Sequence, residues 1–122
     1  RSSDLPRRGD IVMFTRSDEQ GYFVKRIIGL PGETVSHFSG RVWIGTSRLQ
    51  EPYTDYQMTI ELPGRAVVGE HKYFVMGDNR GNTEDSRDYG PILKDQIIGR
   101  ASAIIYPLSR RTSLQNPFET TR

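Results

Sequence analysis

Lys25 lies within the apolar stretch Tyr22-Phe23-Val24-Lys25-Arg26-Ile27-Ile28, which ends in the turn Gly29-Leu30-Pro31-Gly32. With the period-two alternation of a strand, Phe23, Lys25 and Ile27 share one face, so the ammonium falls between two large apolar side chains. Desolvation favours the uncharged amine of a lysine, and an uncharged amine is a general base. The plainer outcome for a strand lysine is to carry its head group out to solvent at an edge. Arg26 points to the opposite face and reads as exposed or salt-bridged.

The second chemical segment is Gly77-Asp78-Asn79-Arg80-Gly81-Asn82-Thr83-Glu84-Asp85-Ser86-Arg87, eleven residues without a large apolar side chain, directly after the strand-like Tyr73-Phe74-Val75-Met76. Such a segment has no core of its own and is ordered by hydrogen bonds. Asp78, Asn82 and Asp85 can cap turns, and Arg80 and Arg87 can pair with the carboxylates, so the loop can satisfy itself without any function. A calcium-loop reading from Asp78 fails, since Arg80 would occupy the second ligand position and Thr83 the position that needs glycine. The tripeptide Arg8-Gly9-Asp10 is too short to carry an adhesion reading and reads as an ordinary turn before a strand.

The elements that must position these residues are strands. Gly, Pro and Asn punctuate the chain at short intervals, and the intervening segments are rich in Val, Ile, Tyr and Phe, which favours an all-β domain. Strands are expected at 11–16, 22–28, 34–38, 41–44, 58–62, 72–76 and 97–106, with one helical turn within 91–96. Ser39-Gly40 makes a tight hairpin turn, and Gly45-Thr46 supplies a glycine-first pair suited to a type II′ turn. Residues 1–108 form one domain, and the polar 109–122 reads as a frayed tail.

Composition excludes more than it identifies. The 122 residues carry 17 basic and 15 acidic side chains, a formal charge of +2, dispersed without the basic stripe of a nucleic-acid binder. With no cysteine there is no disulfide, thiolate nucleophile or thiolate metal site. His37 and His71 lack ligand spacing and are taken as surface or strand residues, so no metal or cofactor is expected. No apolar run reaches the ~18 residues of a membrane span, and the first residues lack the apolar stretch of a signal peptide.

In order along the chain, these segments resemble the bacterial type I signal peptidases, membrane-bound serine endopeptidases. Pro6-Arg7-Arg8-Gly9-Asp10-Ile11-Val12-Met13-Phe14 is similar to the family's Arg-Gly-Asp-Ile-Val segment, and Val24-Lys25-Arg26-Ile27-Ile28-Gly29-Leu30-Pro31-Gly32-Glu33 to its lysine box. Arg41-Val42-Trp43-Ile44 with Leu49-Gln50-Glu51-Pro52-Tyr53 resembles the hairpin that follows. Tyr73-Phe74-Val75-Met76-Gly77-Asp78-Asn79-Arg80 through Asp85-Ser86-Arg87-Asp88-Tyr89-Gly90 resembles the polar box, and Ile97-Ile98-Gly99-Arg100-Ala101 the closing strand.

The resemblance implies a signal-peptidase-like fold of antiparallel, partly barrel-like sheets, and removal of N-terminal signal peptides from exported proteins by a Ser-Lys dyad. It makes Lys25 the general base and Thr83 the hydroxyl that orients it. Asp85 and Arg87 become an ion pair bracing a structural loop with Asp78, Asn79, Arg80 and Ser86, and Val24 a wall of a pocket for small, alanine-like side chains. The implied partners are the signal peptides of secreted preproteins and the membrane surface, on the extracytoplasmic side, with no nucleic acid, metal or cofactor.

The family's nucleophile lies in a Ser-Met-x-Pro box upstream of its Arg-Gly-Asp segment, and this sequence has no such box. Ser3-Asp4-Leu5-Pro6 copies the serine-to-proline spacing without the methionine, and Pro6 already belongs to the Arg-Gly-Asp match. Ser3 is therefore set aside, and the anchor and nucleophile are expected upstream of Arg1, which makes this chain inactive alone. Smaller departures are Glu33 for Asp, Gly81 for Asp, and Gly45-Thr46 for Asn-Gly. The rival readings are a non-catalytic peptide-binding relative using strand addition, and a self-cleaving regulator with a Ser-Lys dyad, which would carry an upstream DNA-binding domain and a scissile Ala-Gly or Cys-Gly bond.

Overall fold

The structure, a computed structural model, describes residues 5–54, 63–81 and 83–100. The strands among them are β1 (Ile11–Phe14), β2 (Phe23–Gly29), β3 (Thr34–Phe38), β4 (Arg41–Ile44), β5 (Ser47–Arg48), β6 (Gly64–Val67), β7 (Lys72–Met76), β8 (Ile92–Leu93) and β9 (Ile97–Arg100). A single helical turn, α1 (Ser86–Tyr89), lies between β7 and β8, and a 3-10 turn spans Lys94–Gln96. One sheet runs β8-β7-β2-β1-β9 and the other β5-β4-β3-β6, with every pairing antiparallel.

Alternation divides the apolar residues between two cores. On one face of the first sheet Val12, Phe14, Ile27, Tyr73, Val75 and Ile92 are buried together, with Phe23, Tyr89 and Ile97 packed against them. Phe74 and Met76, on the other face of β7, join Ile28, Val35, Val42 and Val68 in a second core that ties the two sheets together. β7 is thus buried on both sides, as its unbroken Tyr73-Phe74-Val75-Met76 run demands.

The turns follow from local chemistry. Ser39 and Gly40 both take positive φ, 54° and 82°, as a two-residue hairpin of the primed type requires, and they bring Arg41 opposite Phe38. Gly45, also at positive φ, opens the turn that pairs Ser47 with Ile44. Pro31 and Gly32, the latter at φ 87°, turn the chain back so that the Glu33 N–H donates to the Leu30 carbonyl at 3.1 Å. In Arg8-Gly9-Asp10, Gly9 has φ 90° and the Arg7 N–H donates to Asp10 Oδ2 at 2.8 Å, an ordinary turn feeding β1.

The expected strands 34–38, 41–44 and 72–76 coincide with β3, β4 and β7. β1 stops at Phe14 and β2 runs one residue further than expected. The strand expected at 58–62, the end of the one expected at 97–106 and the tail 109–122 lie outside the described residues. β6 was not anticipated, because Gly64-Arg65-Ala66-Val67 has a single β-branched residue; its pairing to β3 overrides weak propensity. The helical turn expected within 91–96 is the 3-10 turn, and α1 is additional, started inside the polar loop by a capping residue.

A Cβ placed on Gly29 would meet the Val35 Cγ2 at 2.5 Å and Phe74 Cβ at 3.1 Å, so the sheets close together over a missing side chain. Gly29→Ala should cost about 1–3 kcal/mol in urea melts through overpacking. The cost should be smaller in a Val35→Ala background, since the two changes share one contact; equal costs in both backgrounds would contradict the close approach.

Candidate active site

β1 and β7 flank β2, and their registers decide what surrounds Lys25. Val12 pairs with Lys25 from one side, and on the other the ladder ends at Arg26–Met76, whose next position in the same register is Lys25 against Gly77. Partners across an antiparallel pair share a face, so a side chain at residue 77 would lie beside the lysine. Glycine leaves that space open, and Thr83 fills it: a Cβ on Gly77 would be 2.2 Å from Thr83 Oγ1 and 2.8 Å from its Cβ. Lys25 Nζ donates to Thr83 Oγ1 at 2.7 Å. The lysine is half-buried at the margin of the first core, whose Phe23 and Ile27 precede and follow it on its face.

The loop that delivers Thr83 is held by both sheets. Asp85, with no exposure, caps α1 by accepting from the Arg87 N–H at 3.0 Å, and the Asp88 carboxylate accepts in return from the Asp85 N–H at 3.0 Å. The Arg87 guanidinium grips Asp85 through Nε at 2.9 Å and Nη2 at 3.0 Å, and reaches the Arg80 carbonyl at 3.0 Å. Asp85 Oδ2 accepts from the Gly77 N–H at 3.0 Å, and Ser86 Oγ from the Val75 N–H at 2.9 Å.

Two forked ion pairs leave the loop. Asp78 takes a fork from Arg26, Nε to Oδ1 at 2.9 Å and Nη2 to Oδ2 at 2.8 Å, while Arg26 Nη1 donates to the Gly9 carbonyl at 3.0 Å. Arg80 makes a second fork to Glu51 at 3.0 and 2.5 Å, with neither side chain exposed, and also donates to the Gly40 and Gly77 carbonyls at 3.0 and 2.7 Å. Tyr53 lies between these guanidiniums, its ring 4.1 Å from Arg26 and 6.0 Å from Arg80, and its hydroxyl donates to Glu51 at 3.0 Å. Burial and then the Glu51 charge push its phenol well above the usual range, so it stays a donor.

The structure therefore brings Lys25 and Thr83 together, and Asp85 with Arg87, while Ser86 is buried at the foot of the loop. Asn79 is exposed, and Val24 is exposed on the face opposite Lys25, paired with Met13. Asn82 and Ser3 lie outside the described residues. Of the two readings open for Arg26, the salt-bridged one holds: 1% of its surface is accessible, and Asp78 and the Gly9 carbonyl satisfy it. One expectation needs correction. Arg80 does not pair within its own loop, because the nearby carboxylates are taken by Arg26 and Arg87, and it crosses to Glu51 instead.

Glu51 and Tyr53 went unnoticed as site residues, although a carboxylate next to proline and tyrosine in an otherwise polar stretch was a usable signal. So did the fork of Arg8 on Glu33, at 2.7 and 2.8 Å, which closes the Leu30-Pro31-Gly32-Glu33 turn onto the segment before β1. Burial works to raise the Glu33 carboxyl, but the Arg8 fork and the Leu30 N–H outweigh it and hold it below the usual range. Among the described residues no group of three or more acidic or histidine side chains could hold a metal ion.

Comparison with known proteins places this geometry in context. The family profile described as "Signal peptidase, peptidase S26" matches residues 1–106. The chain is 39% identical to "Signal peptidase I" of Leptolyngbya laminosa, over 92% of this chain and 59% of that protein. It is 38% identical to "Signal peptidase I U" of Bacillus subtilis (strain 168), over 82% of this chain and 58% of that protein. It thus spans about three-fifths of the length of these curated relatives. A crystal structure of a signal peptidase I from Enterococcus faecalis V583 superposes with a TM-score of 0.67 at 29% identity, covering 78% of this chain and 95% of that one.

Three substitutions test the local geometry. Gly77 has no positive φ, so Gly77→Ala meets a steric obstacle alone. It should destabilise the fold by about 1–3 kcal/mol and abolish the Lys25–Thr83 contact in NMR spectra, yet be nearly neutral in a Thr83→Gly background. In denaturant melts Asp85→Ala and Arg87→Ala should each cost about 1–3 kcal/mol, Asp85→Ala the more because it also strips the Gly77 N–H and the helix cap. The double variant should lose less than the sum, whereas additive losses would refute the pairing.

Proposed function

Since this chain belongs to the signal peptidase, peptidase S26 family, we propose that it forms the general-base side of a Ser-Lys endopeptidase that removes N-terminal signal peptides from exported proteins. The observation that carries this reading is the 2.7 Å hydrogen bond from Lys25 Nζ to Thr83 Oγ1, at a lysine set beside an apolar core and opposite a glycine.

A neutral lysine amine has two N–H bonds and one lone pair. Donating one N–H to Thr83 fixes the head group about its stem and directs the lone pair toward a serine hydroxyl on the open side. That amine takes the serine proton as the oxygen bonds to the scissile carbonyl carbon, then returns it to the leaving amine as the C–N bond breaks. Water, deprotonated by the same amine, releases the acyl group and frees the serine. On this proposal the serine comes from a Ser-Met-x-Pro box, which the 122 residues do not contain, so this chain alone should show no turnover.

Val24, exposed beside Met13, is assigned to the pocket for small side chains before the cut. Asp78, Asn79, Arg80, Asp85, Ser86 and Arg87 are assigned to the supporting loop. The partners are signal peptides at the extracytoplasmic face of the bacterial cytoplasmic membrane, with anchorage outside the described residues, among which no helix is long and apolar enough to cross a membrane.

The test joins this chain to the N-terminal part of the Leptolyngbya laminosa relative and follows cleavage of a peptide with alanine-like residues before the scissile bond. The hybrid should cleave it. Lys25→Ala and Lys25→Arg should both abolish turnover, the latter because a guanidinium stays protonated and cannot accept the serine proton. Thr83→Ser should keep most activity, while Thr83→Val, which loses only the hydroxyl, should slow the reaction by about ten- to a thousandfold. Turnover that survives Lys25→Arg would exclude Lys25 as the base.

A further inference from the structure

Gly77 is held at both ends of its peptide groups, and the two holders come from different sides of the molecule. Its N–H donates to Asp85 within the loop. Its carbonyl accepts from Arg80 Nε at 2.7 Å, and Arg80 is itself gripped by Glu51, which follows the second sheet's β5, and by the Gly40 carbonyl of that sheet's β3–β4 turn. Tyr53, two residues on, donates to Glu51 and lies 4.1 Å from Arg26, the partner of Asp78. One short segment therefore braces the arginines on either side of the Gly77-Asp78 peptide.

We infer that Glu51 is a positioning residue for the lysine–threonine pair, acting through Arg80 on the Gly77 backbone, with Tyr53 as its support. This rests on the peptidase reading only for its functional meaning; the placement is a property of the fold. Because Thr83 sits within van der Waals overlap of any side chain at residue 77, a displaced Gly77 backbone displaces the threonine, and with it the acceptor of the lysine head group. A carboxylate that merely stapled the sheets would need Arg80 alone and not its Nε bond to Gly77. The bidentate grip fixes the guanidinium plane and so aims that Nε.

The test uses the isotopically labelled chain, with hydrogen exchange of the Gly77 amide and the nuclear Overhauser contact between the Thr83 methyl and Lys25 ε-methylene protons. Arg80→Lys keeps the charge opposite Glu51 but loses the fork and the Gly77 bond. It should speed Gly77 exchange by about ten- to a hundredfold and weaken the contact, while the amides of Val12 and Val42 keep their protection. Glu51→Gln should do the same, and Glu51→Asp should restore part of it. Unchanged Gly77 exchange in folded Arg80→Lys would overturn the inference. So would equal loss of protection at all amides, or failure of both Arg80→Lys and Glu51→Gln to fold, each marking a general staple. None of these readouts needs turnover, so an inactive hybrid would reject the peptidase reading and leave this one intact.

Discussion

A loop without large apolar side chains has to be ordered by charges and hydrogen bonds, and where those charges find partners settles the rest of this site. Residues 77–87 carry two arginines and three acidic side chains; Asp85 pairs with Arg87 inside the segment, while the other charges reach outside it. Asp78 is claimed by Arg26 of β2 and Arg80 by Glu51 just after β5 of the other sheet, while the exposed Glu84 approaches Arg16 after β1 at 3.4 Å. Each outward pair replaces an internal turn by a link to another part of the fold: β2 itself for Asp78, and the segments that follow β5 and β1 for Arg80 and Glu84. A loop satisfied internally would be free to hinge at Gly77; this one is tied down on three sides.

The buried Arg80–Glu51 pair shows how such anchorage is weighed. Moving both charges out of water costs several kcal/mol per ion, so the pair adds little net stability, whereas removing one partner strands the other at a cost of about 3–5 kcal/mol. What the pair contributes is uniqueness of geometry. Arg80 is satisfied by one carboxylate and two specified carbonyls, an arrangement that alternative loop conformations would break at once. Rigidity of this kind suits a lysine that must meet a hydroxyl at 2.7 Å.

The parts of the site legible in the sequence are those governed by local rules. Lys25 announces itself by period-two alternation between Phe23 and Ile27, and Asp85 and Arg87, two residues apart, can reach each other across one cap. β3, β4 and β7 are legible because β-branched and aromatic residues alternate between well-formed turns. Glu51 and β6 are not, because their placement depends on register: Gly64-Arg65-Ala66-Val67 becomes a strand only where β3 offers its edge, and Glu51 matters only once Arg80, distant in sequence, points at it. The Lys25–Thr83 pairing stands between these cases. The resemblance implied it, but the reason it is sterically possible, the vacancy at Gly77 opposite Lys25, follows from the β2–β7 register.

That vacancy also explains why the loop leaves β7 where it does. β8 is two residues long and pairs only with Lys72 and Tyr73, with Pro91, which has no N–H to give a ladder, just before it. The N–H groups of Val75 and Gly77 would otherwise face an empty edge, and they are met by side chains, Ser86 Oγ and Asp85 Oδ2. Substituting side-chain acceptors for a neighbouring strand satisfies the backbone without laying another backbone beside Gly77. The space a full-length strand would occupy stays available to the turn that carries Thr83 over the glycine. A sheet edge closed by Asp85 and Ser86 is thus the condition under which a hydroxyl from a distant segment can reach a lysine in the interior of a strand.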